Sequence, residues 1–220
     1  MNYVFQFETL LREWPLLLDG LLLTLRLSVT AMVVGLAVGT AGAAASVYGT
    51  KIMRIFMRCY VELIRNTPFL VQLFMIFLGL PAIGIRLSPD TAAATALTIN
   101  IGAYASEIIR AGIEAVPHGQ VEAGTALGLT RFQVFRLIVV KQAFMTVFPA
   151  LSSQFILLML GTSVVSAIAS EELSATANSI QSRTFRAFEV YFIVTAIYLF
   201  LAIFFREIFR FVYRRWVHKT

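Results

Sequence analysis

Long stretches without a single charge alternate with short stretches rich in arginine, and that alternation decides what this chain can fold into. Leu27 to Thr50 holds no Asp, Glu, Lys or Arg, and its apolar pattern reaches back to Leu16. Asn66 to Ile85, Thr91 to Ser106, Gln142 to Ser170 and Val190 to Phe205 are four more such runs. A spanning helix needs about 20 mostly apolar residues. The third and fifth runs are shorter and span only if arginines at their ends reach out to the interface. The expectation is five membrane-spanning helices in an all-α integral membrane protein. Composition agrees: 59% of the 220 residues are apolar and 14% charged, where a soluble domain carries about 25% charged residues. A compact soluble fold could not hide that much apolar surface. A soluble enzyme, a disordered regulator and a secreted disulfide module are excluded.

Local signals place the boundaries. Ser88-Pro89 reads as an N-cap with proline at the first helical position, opening the third span. Thr130-x-x-Gln133 is a capping box, so the fourth span starts near Arg131. Pro149 lies inside that span and is expected to kink it. Gly161 to Glu189 is too polar for one continuous span and must hold a break, a re-entrant turn or an external loop. Gly35-x-x-x-Gly39, followed by Gly42, would let another helix approach closely, although small residues are also common in spans for no such reason.

Lysine and arginine set the orientation. With the amino terminus outside, the inner segments hold Lys51, Arg54, Arg58, Arg65, Arg110, Arg131, Arg136 and Lys141, then Arg206, Arg210, Arg214, Arg215 and Lys219. The outer segments hold only Arg12, Arg86, Arg183 and Arg186. This is a positive-inside pattern, and it predicts a cytoplasmic carboxyl terminus. The net charge of +6 therefore belongs to membrane flanks and does not point to nucleic acid. The basic tail Arg210 to Lys219, with Tyr213 and Trp216, reads as an anchor on an anionic leaflet of the lipid bilayer. One cysteine, Cys59, forbids an internal disulfide. His118 and His218 lack metal-ligand spacing, so no metal is expected. The chain shows no internal repeat or low-complexity linker and reads as a single domain over residues 1–220.

The loop from Glu114 to Val140 is too structured merely to reverse the chain. Pro117 starts a short helix, Gly128 ends it in a left-handed cap, and Thr130 starts the next. Glu122 is exposed near its middle, and the small residues Ala123, Gly124 and Ala126 let the helix fit a groove on a partner.

Glu122-Ala123-Gly124, with Gly128 six residues after the glutamate, resembles the EAA loop of permease subunits of bacterial ABC importers. More narrowly, GAYASEIIRAGIEAVPHGQVEAGTALGLT (102–130), RNTPFLVQLFMIFLGLP (65–81) and TSVVSAIASEELSATANSIQSRTFRAFEVY (162–191) resemble the polar amino acid and opine (histidine–glutamine type) permeases. The resemblance runs over about residues 16–212. It implies a type I permease fold of five transmembrane helices in the bacterial inner membrane. It also implies a coupling loop over about 114–136 that docks on a partner ATPase through Gly119, Glu122, Ala123, Gly124 and Gly128. Two ATPase subunits, a second permease (identical or homologous) and an external solute-binding protein are the implied partners. There is no G-x-x-x-x-G-K-[ST] loop, so ATP and Mg belong to the partner, and this chain needs no cofactor of its own. The chain departs from the family at Val140-Lys141, where Leu-Pro is usual, and at Leu160-Gly161, where Lys-Asp is frequent.

Ionisable groups at membrane depth cost about 2.5–3.5 kcal/mol each and so face protein or water. Glu62, Arg65, Glu107 and Arg110 lie near the inner halves of the second and third spans, and each i,i+3 set can pair along its own helix. Two readings stand: headgroup-level charges, or an inner gate that meets substrate. Thr67-Pro68 breaks the second span and frees backbone groups that can line a cavity, which Gln72 would face. Tyr104 shares a face with Glu107. Thr162, Ser163 and Ser166 either line the pathway or bond back to their own helix. Glu171-Glu172 reads as an external acidic pair with two readings, a solvated loop, which the composition favours, or a surface that receives the binding protein. Two other classes compete: an intramembrane hydrolase, which lacks a nucleophile and base at matched depth and any G-x-S-x-G, and a stand-alone channel, which leaves the structured loop without a purpose.

Overall fold

Residues 5–8 and 12–217 are described in a computed structural model of the chain; the tail residues His218 and Lys219 lie outside them. Among the described residues, eight helices follow in order: α1 (Trp14–Tyr48), α2 (Lys51–Arg65), α3 (Phe69–Ile83), α4 (Pro89–Glu114), α5 (His118–Ala126), α6 (Arg131–Ile168), α7 (Leu173–Thr184) and α8 (Ala187–Val217). Four of these, α1, α4, α6 and α8, are long and apolar enough to cross a membrane, and α2 with α3 makes a fifth, broken span.

The caps fall where side-chain chemistry puts them. The Ser88 hydroxyl accepts from the Thr91 amide and opens α4. Thr130 and Gln133 form the reciprocal capping box that opens α6, and Gly128 adopts a left-handed φ of 80° between α5 and α6. α4 carries Glu107, Arg110 and Glu114 within its last two turns, so its charged end is indeed part of the helix. α6 runs through Pro149 as one span. The Gly161–Glu189 stretch resolves into a tight 3-10 turn at Thr162–Ile168 and the separate helix α7.

The second span is broken where Thr67-Pro68 was expected to break it, and it reaches beyond the uncharged run 66–85 to include α2. α2 ends at Arg65, α3 begins at Phe69, and the two meet at 108°. The cause is Pro68, which has no N–H to give and disfavours helix at Thr67 before it. α3 itself is loosely wound, with a π-turn at Met75–Gly79 and a 3-10 turn at Leu80–Ile83.

α1 and α4 pack in parallel along a stripe of small residues. Gly35 lies against Ile101 and Gly102, and Gly39 against Ala105 and Ser106. With no hydrophobic drive between helices in lipid, such close backbone approach is what holds them. One core gathers Leu27, Ala31, Leu73, Ala92, Ala96, Leu97, Ile101 and Val165. A second, around α7, joins Leu17, Leu173, Ala177, Ile180, Val190 and Val194. Large side chains such as Val33, Phe200 and Phe204 point outward, at no cost in a lipid solvent.

A Cβ at Gly39 would lie 2.5 Å from the Ala105 Cβ and 2.9 Å from the Ser106 amide nitrogen, whereas at Gly161 it would meet nothing within 4 Å. Gly39→Leu is therefore expected to destabilise the detergent-solubilised protein by about 1–3 kcal/mol or more, and Gly161→Ala to leave it unchanged or slightly more stable. Thermal unfolding followed by size-exclusion chromatography compares them; equal midpoints would refute the close α1–α4 contact.

Candidate functional site

The elbow between α2 and α3 is closed by one side chain. Gln72 Nε2 donates to the Ile64 carbonyl (2.7 Å), the Thr67 carbonyl (3.0 Å) and Thr67 Oγ1 (2.9 Å). Its Oε1 accepts from Asn100 Nδ2 on α4 at 3.0 Å. Thr67 Oγ1 donates to the Leu63 carbonyl. Gln72 and Thr67 thus come together as the mortar of the break, and neither lines the cavity that Gln72 was expected to face.

That cavity, of about 610 Å³, lies between α2 and α4 at the bundle end that carries α5. Its walls include Arg54, Arg58, Glu62 and Arg65 from α2, and Tyr104, Glu107, Arg110 and Glu114 from α4. α2 is strongly two-faced. Its charged side turns inward to the cavity, while Ile52, Phe56 and Leu63 point away from the bundle.

The charges do not pair as the sequence spacing suggested. Arg110 does hold Glu107 along its helix, donating to both oxygens at 2.6 and 3.0 Å, and it also bridges Glu114 at 2.5 Å. Glu62 and Arg65 do not pair. The helix ends at Arg65, so the Asn66 side-chain amide folds back onto the Glu62 carboxylate at 3.0 Å. Arg65 instead reaches across to Glu107 at 3.9 Å, with its guanidinium 5.4 Å from the Tyr104 ring centre. Four of the expected gate residues, Glu62, Arg65, Tyr104 and Glu107, therefore share one cavity. Arg54, Arg58 and Glu114 also line it, although their positions alone read as ordinary flank charges.

The hydroxyls at the far end of α6 sit elsewhere. Thr162 donates to the Met159 carbonyl, Ser163 to Leu160 and Ser166 to Ser163, each three residues back. Glu172 corrects the expectation of a solvated pair. It is fully buried and caps α7, accepting from the Ser174 and Ala175 amides at 2.9 Å and from Tyr198 at 2.8 Å, with the Thr24 hydroxyl at 3.5 Å. Burial pushes its pKa up from the ordinary carboxylate range, and those donors oppose the shift. Glu171 beside it is exposed.

α5 lies across the start of α6. Gly124 is its buried residue, set against Ile138 and Val134 of α6 and Leu129, while Gly119, Glu122 and Ala123 are exposed. Gln120 on α5 and Gln142 on α6 are hydrogen-bonded. A π-turn at Phe135–Val139 brings Ile138 to this contact and stacks Phe135 edge-on against Tyr48 at 5.7 Å. α5 is thus a rigid ledge, its inner side locked onto a span and its outer side free.

A multi-pass helical membrane protein with a broken span, a polar cavity beside the break and a free surface helix is built as a membrane transport permease. The match to known proteins names the family. Residues 31–219 fit the model for binding-protein-dependent transport system inner membrane components, and the chain belongs to that family. It is 39% identical over 183 residues to the L-cystine transport system permease protein of Bacillus subtilis, covering 83% of this chain and 78% of that protein. It is 34% identical over 203 residues to the glutamine transport system permease protein of Escherichia coli K12, covering 91% and 93%. A crystal structure of an amino acid ABC transporter with histidines superposes with a TM-score of 0.91 at 37% identity, covering 97% of this chain and all of that one. The MetNI methionine ABC transporter in an inward-facing conformation shares the fold, with a TM-score of 0.77 at 18% identity over 91% of this chain and 96% of that one. The chain is a multi-pass inner-membrane permease component of an ABC importer. Membership of a binding-protein-dependent family implies an ATP-hydrolysing partner and a binding protein.

Because Gln72 satisfies the elbow and ties it to Asn100, Gln72→Ala is expected to destabilise the protein by about 1–3 kcal/mol and to speed protease cleavage at residues 66–68. Limited proteolysis in detergent reads this out, and unchanged cleavage at the elbow would refute the assignment.

Proposed function

We propose that this chain moves polar amino acids or related solutes such as opines across the inner membrane by alternating access, driven by ATP hydrolysis in a partner. It works as one permease domain over 1–220, with the amino terminus outside and the carboxyl terminus in the cytoplasm, in keeping with the positive-inside pattern. Two ATPase subunits, a second permease, identical or homologous, and an external binding protein complete the machine. ATP and Mg sit on the ATPases. This chain catalyses no reaction and holds no cofactor or metal.

The observation that carries the reading is α5: a helix held on one side to α6 through Gly124 and Gln120, with Glu122 exposed and Ala123 at the rim of the groove between the two helices. The coupling loop over about 114–136 is the grip. Gly119, Glu122, Ala123 and Gly124 meet the ATPase or seat the helix, and Gly128 makes the turn that fixes its angle. Closure of the ATPase pair carries the ledge with it, so the inner gate shuts while the outer one opens. The cavity residues Glu62, Arg65, Tyr104 and Glu107 form the inner gate and pathway. Thr67 and Gln72 support it at the elbow, and Thr162, Ser163 and Ser166 shape the outer end of α6. Relatives that carry glutamine and cystine support the solute class.

Glu122→Lys reverses an exposed charge on the free side of the ledge and should leave the five spans inserted. ATP-driven uptake by the whole complex in proteoliposomes is expected to fall at least tenfold, with any remaining ATPase activity uncoupled from it. Uptake at the wild-type rate would count decisively against the docking role.

A further inference from the structure

The charges lining the inner cavity do not cancel, and the excess falls on one wall. On the α4 side, Arg110 is saturated by Glu107 at 2.6 Å and Glu114 at 2.5 Å. Arg65 adds its charge to the same group through Glu107. On the α2 side, Glu62 is bound only to the Asn66 amide. Arg54 gives its Nε to the Gly49 carbonyl at 3.0 Å. Among the described residues, no carboxylate lies within 4 Å of Arg54 or Arg58, and both line the cavity. They stand one turn apart on the same face of α2, and Glu62 follows one turn beyond. The cavity therefore presents two guanidinium groups without a carboxylate partner, and one carboxylate that holds only an amide. A cleft lined by an excess of one sign of charge concentrates solutes of the other.

We infer that this cavity selects solutes with a surplus of carboxylate, meaning amino acids or amino-acid conjugates with at least two carboxylates and one ammonium, and that Arg58 is the residue that sets the preference. The inference rests on reading the cavity as the solute pathway. Glu62 is left to meet the ammonium. One carboxylate is met at the Arg65–Tyr104 side of the cavity, and the second, which a neutral amino acid lacks, is met by Arg58. Guanidinium suits the task because its planar fork matches a carboxylate and it stays charged at any relevant pH. A solute with a cationic side chain would bring its extra charge against Arg54 and Arg58 and be turned away. The outward-pointing residues of α2, Ile52, Phe56 and Leu63, have no part in this choice.

The test uses the assembled permease–ATPase complex in nanodiscs, without the external binding protein, so that only the membrane cavity discriminates. Binding of radiolabelled L-glutamate, L-glutamine and L-arginine is measured on wild type, Arg58→Ala and Arg58→Lys. Glutamate is expected to bind at least tenfold more tightly than arginine, with glutamine between them. Arg58→Ala should compress the glutamate-to-arginine ratio to threefold or less, and Arg58→Lys should keep most of it. Arginine binding as tightly as glutamate in wild type, or an unchanged ratio in Arg58→Ala, overturns the inference and leaves the pathway reading standing. Binding of none of the three overturns both.

Discussion

Hydrocarbon offers no hydrogen-bond partner, so a helix that breaks inside a membrane must satisfy its own backbone or not break at all. The elbow at residues 66–68 is that break, and Gln72 is its solution: the two hydrogens of its amide nitrogen are shared among the Ile64 carbonyl at the end of α2 and the carbonyl and hydroxyl of Thr67 in the elbow, and its oxygen accepts from Asn100 of α4. The break lets α2 point its charges inward. A straight span through this region would carry Arg58, Glu62 and Arg65 along an axis set by α3. With a 108° turn, α2 is free to lie with its charged side against α4 and its apolar side away from the bundle. Cavity and elbow are thus one feature seen from two ends.

The same economy applies at the far end, around α7. Ala169 and Phe185 both adopt left-handed backbone conformations, with φ of 59° and 56°, each at a cost of about 1–2 kcal/mol for a residue with a Cβ. Strain of this kind persists only where surroundings over-determine it. Near Ala169, Glu172 supplies that, joining the α7 amides to Thr24 of α1 and Tyr198 of α8, while Ser170 donates to Asp90 of α4 at 2.7 Å; at Phe185 the amide closes the α7 end on the Gln181 carbonyl. The start of α7 is thus tied by buried polar bonds to two spans, α1 and α8.

How much of this was legible depended on how local the cause was. Ser88, Thr130 with Gln133, and Gly128 act within four residues of themselves, and the sequence alone located the helix ends they make. The uncharged runs counted the spans, because bilayer thickness is a one-dimensional constraint. What stayed hidden depended on distant partners. Glu172 looks like a solvated acid unless Thr24 and Tyr198 are known to converge on it. Glu62 and Arg65 look like an i,i+3 pair until the helix is seen to end between them and Asn66. Arg54 and Arg58 carry the same signature whether they flank a membrane or line a cavity, since both lie beside an apolar run. The turn of α2 that decides between these is set by Gln72 and Asn100, 28 residues apart. The hydroxyls of Thr162, Ser163 and Ser166 were open to either reading, and in the structure they bond back within their own turn. The π-turns in α3 and α6 have no residue signature to find.

The ledge and the cavity are joined by packing that leaves little room for slip. Gly124 of α5 is wedged on Val134 and Ile138, on either side of the start of the α6 π-turn. Farther along α6, Val147 lies so close to Gly112 of α4 that no Cβ would fit. Two residues before Gly112, Arg110 holds Glu107 and Glu114 together. A force applied to α5 therefore meets α6 at once, and α6 meets α4 two residues beyond the arginine of the cavity wall. Close-packed interfaces shift between discrete arrangements and do not deform smoothly, and the π-turn supplies a place where α6 can change its winding by one residue. The long spans need not bend anywhere else for the ledge to open or close the cavity, which is why a nine-residue helix suffices as the handle for a bundle this size.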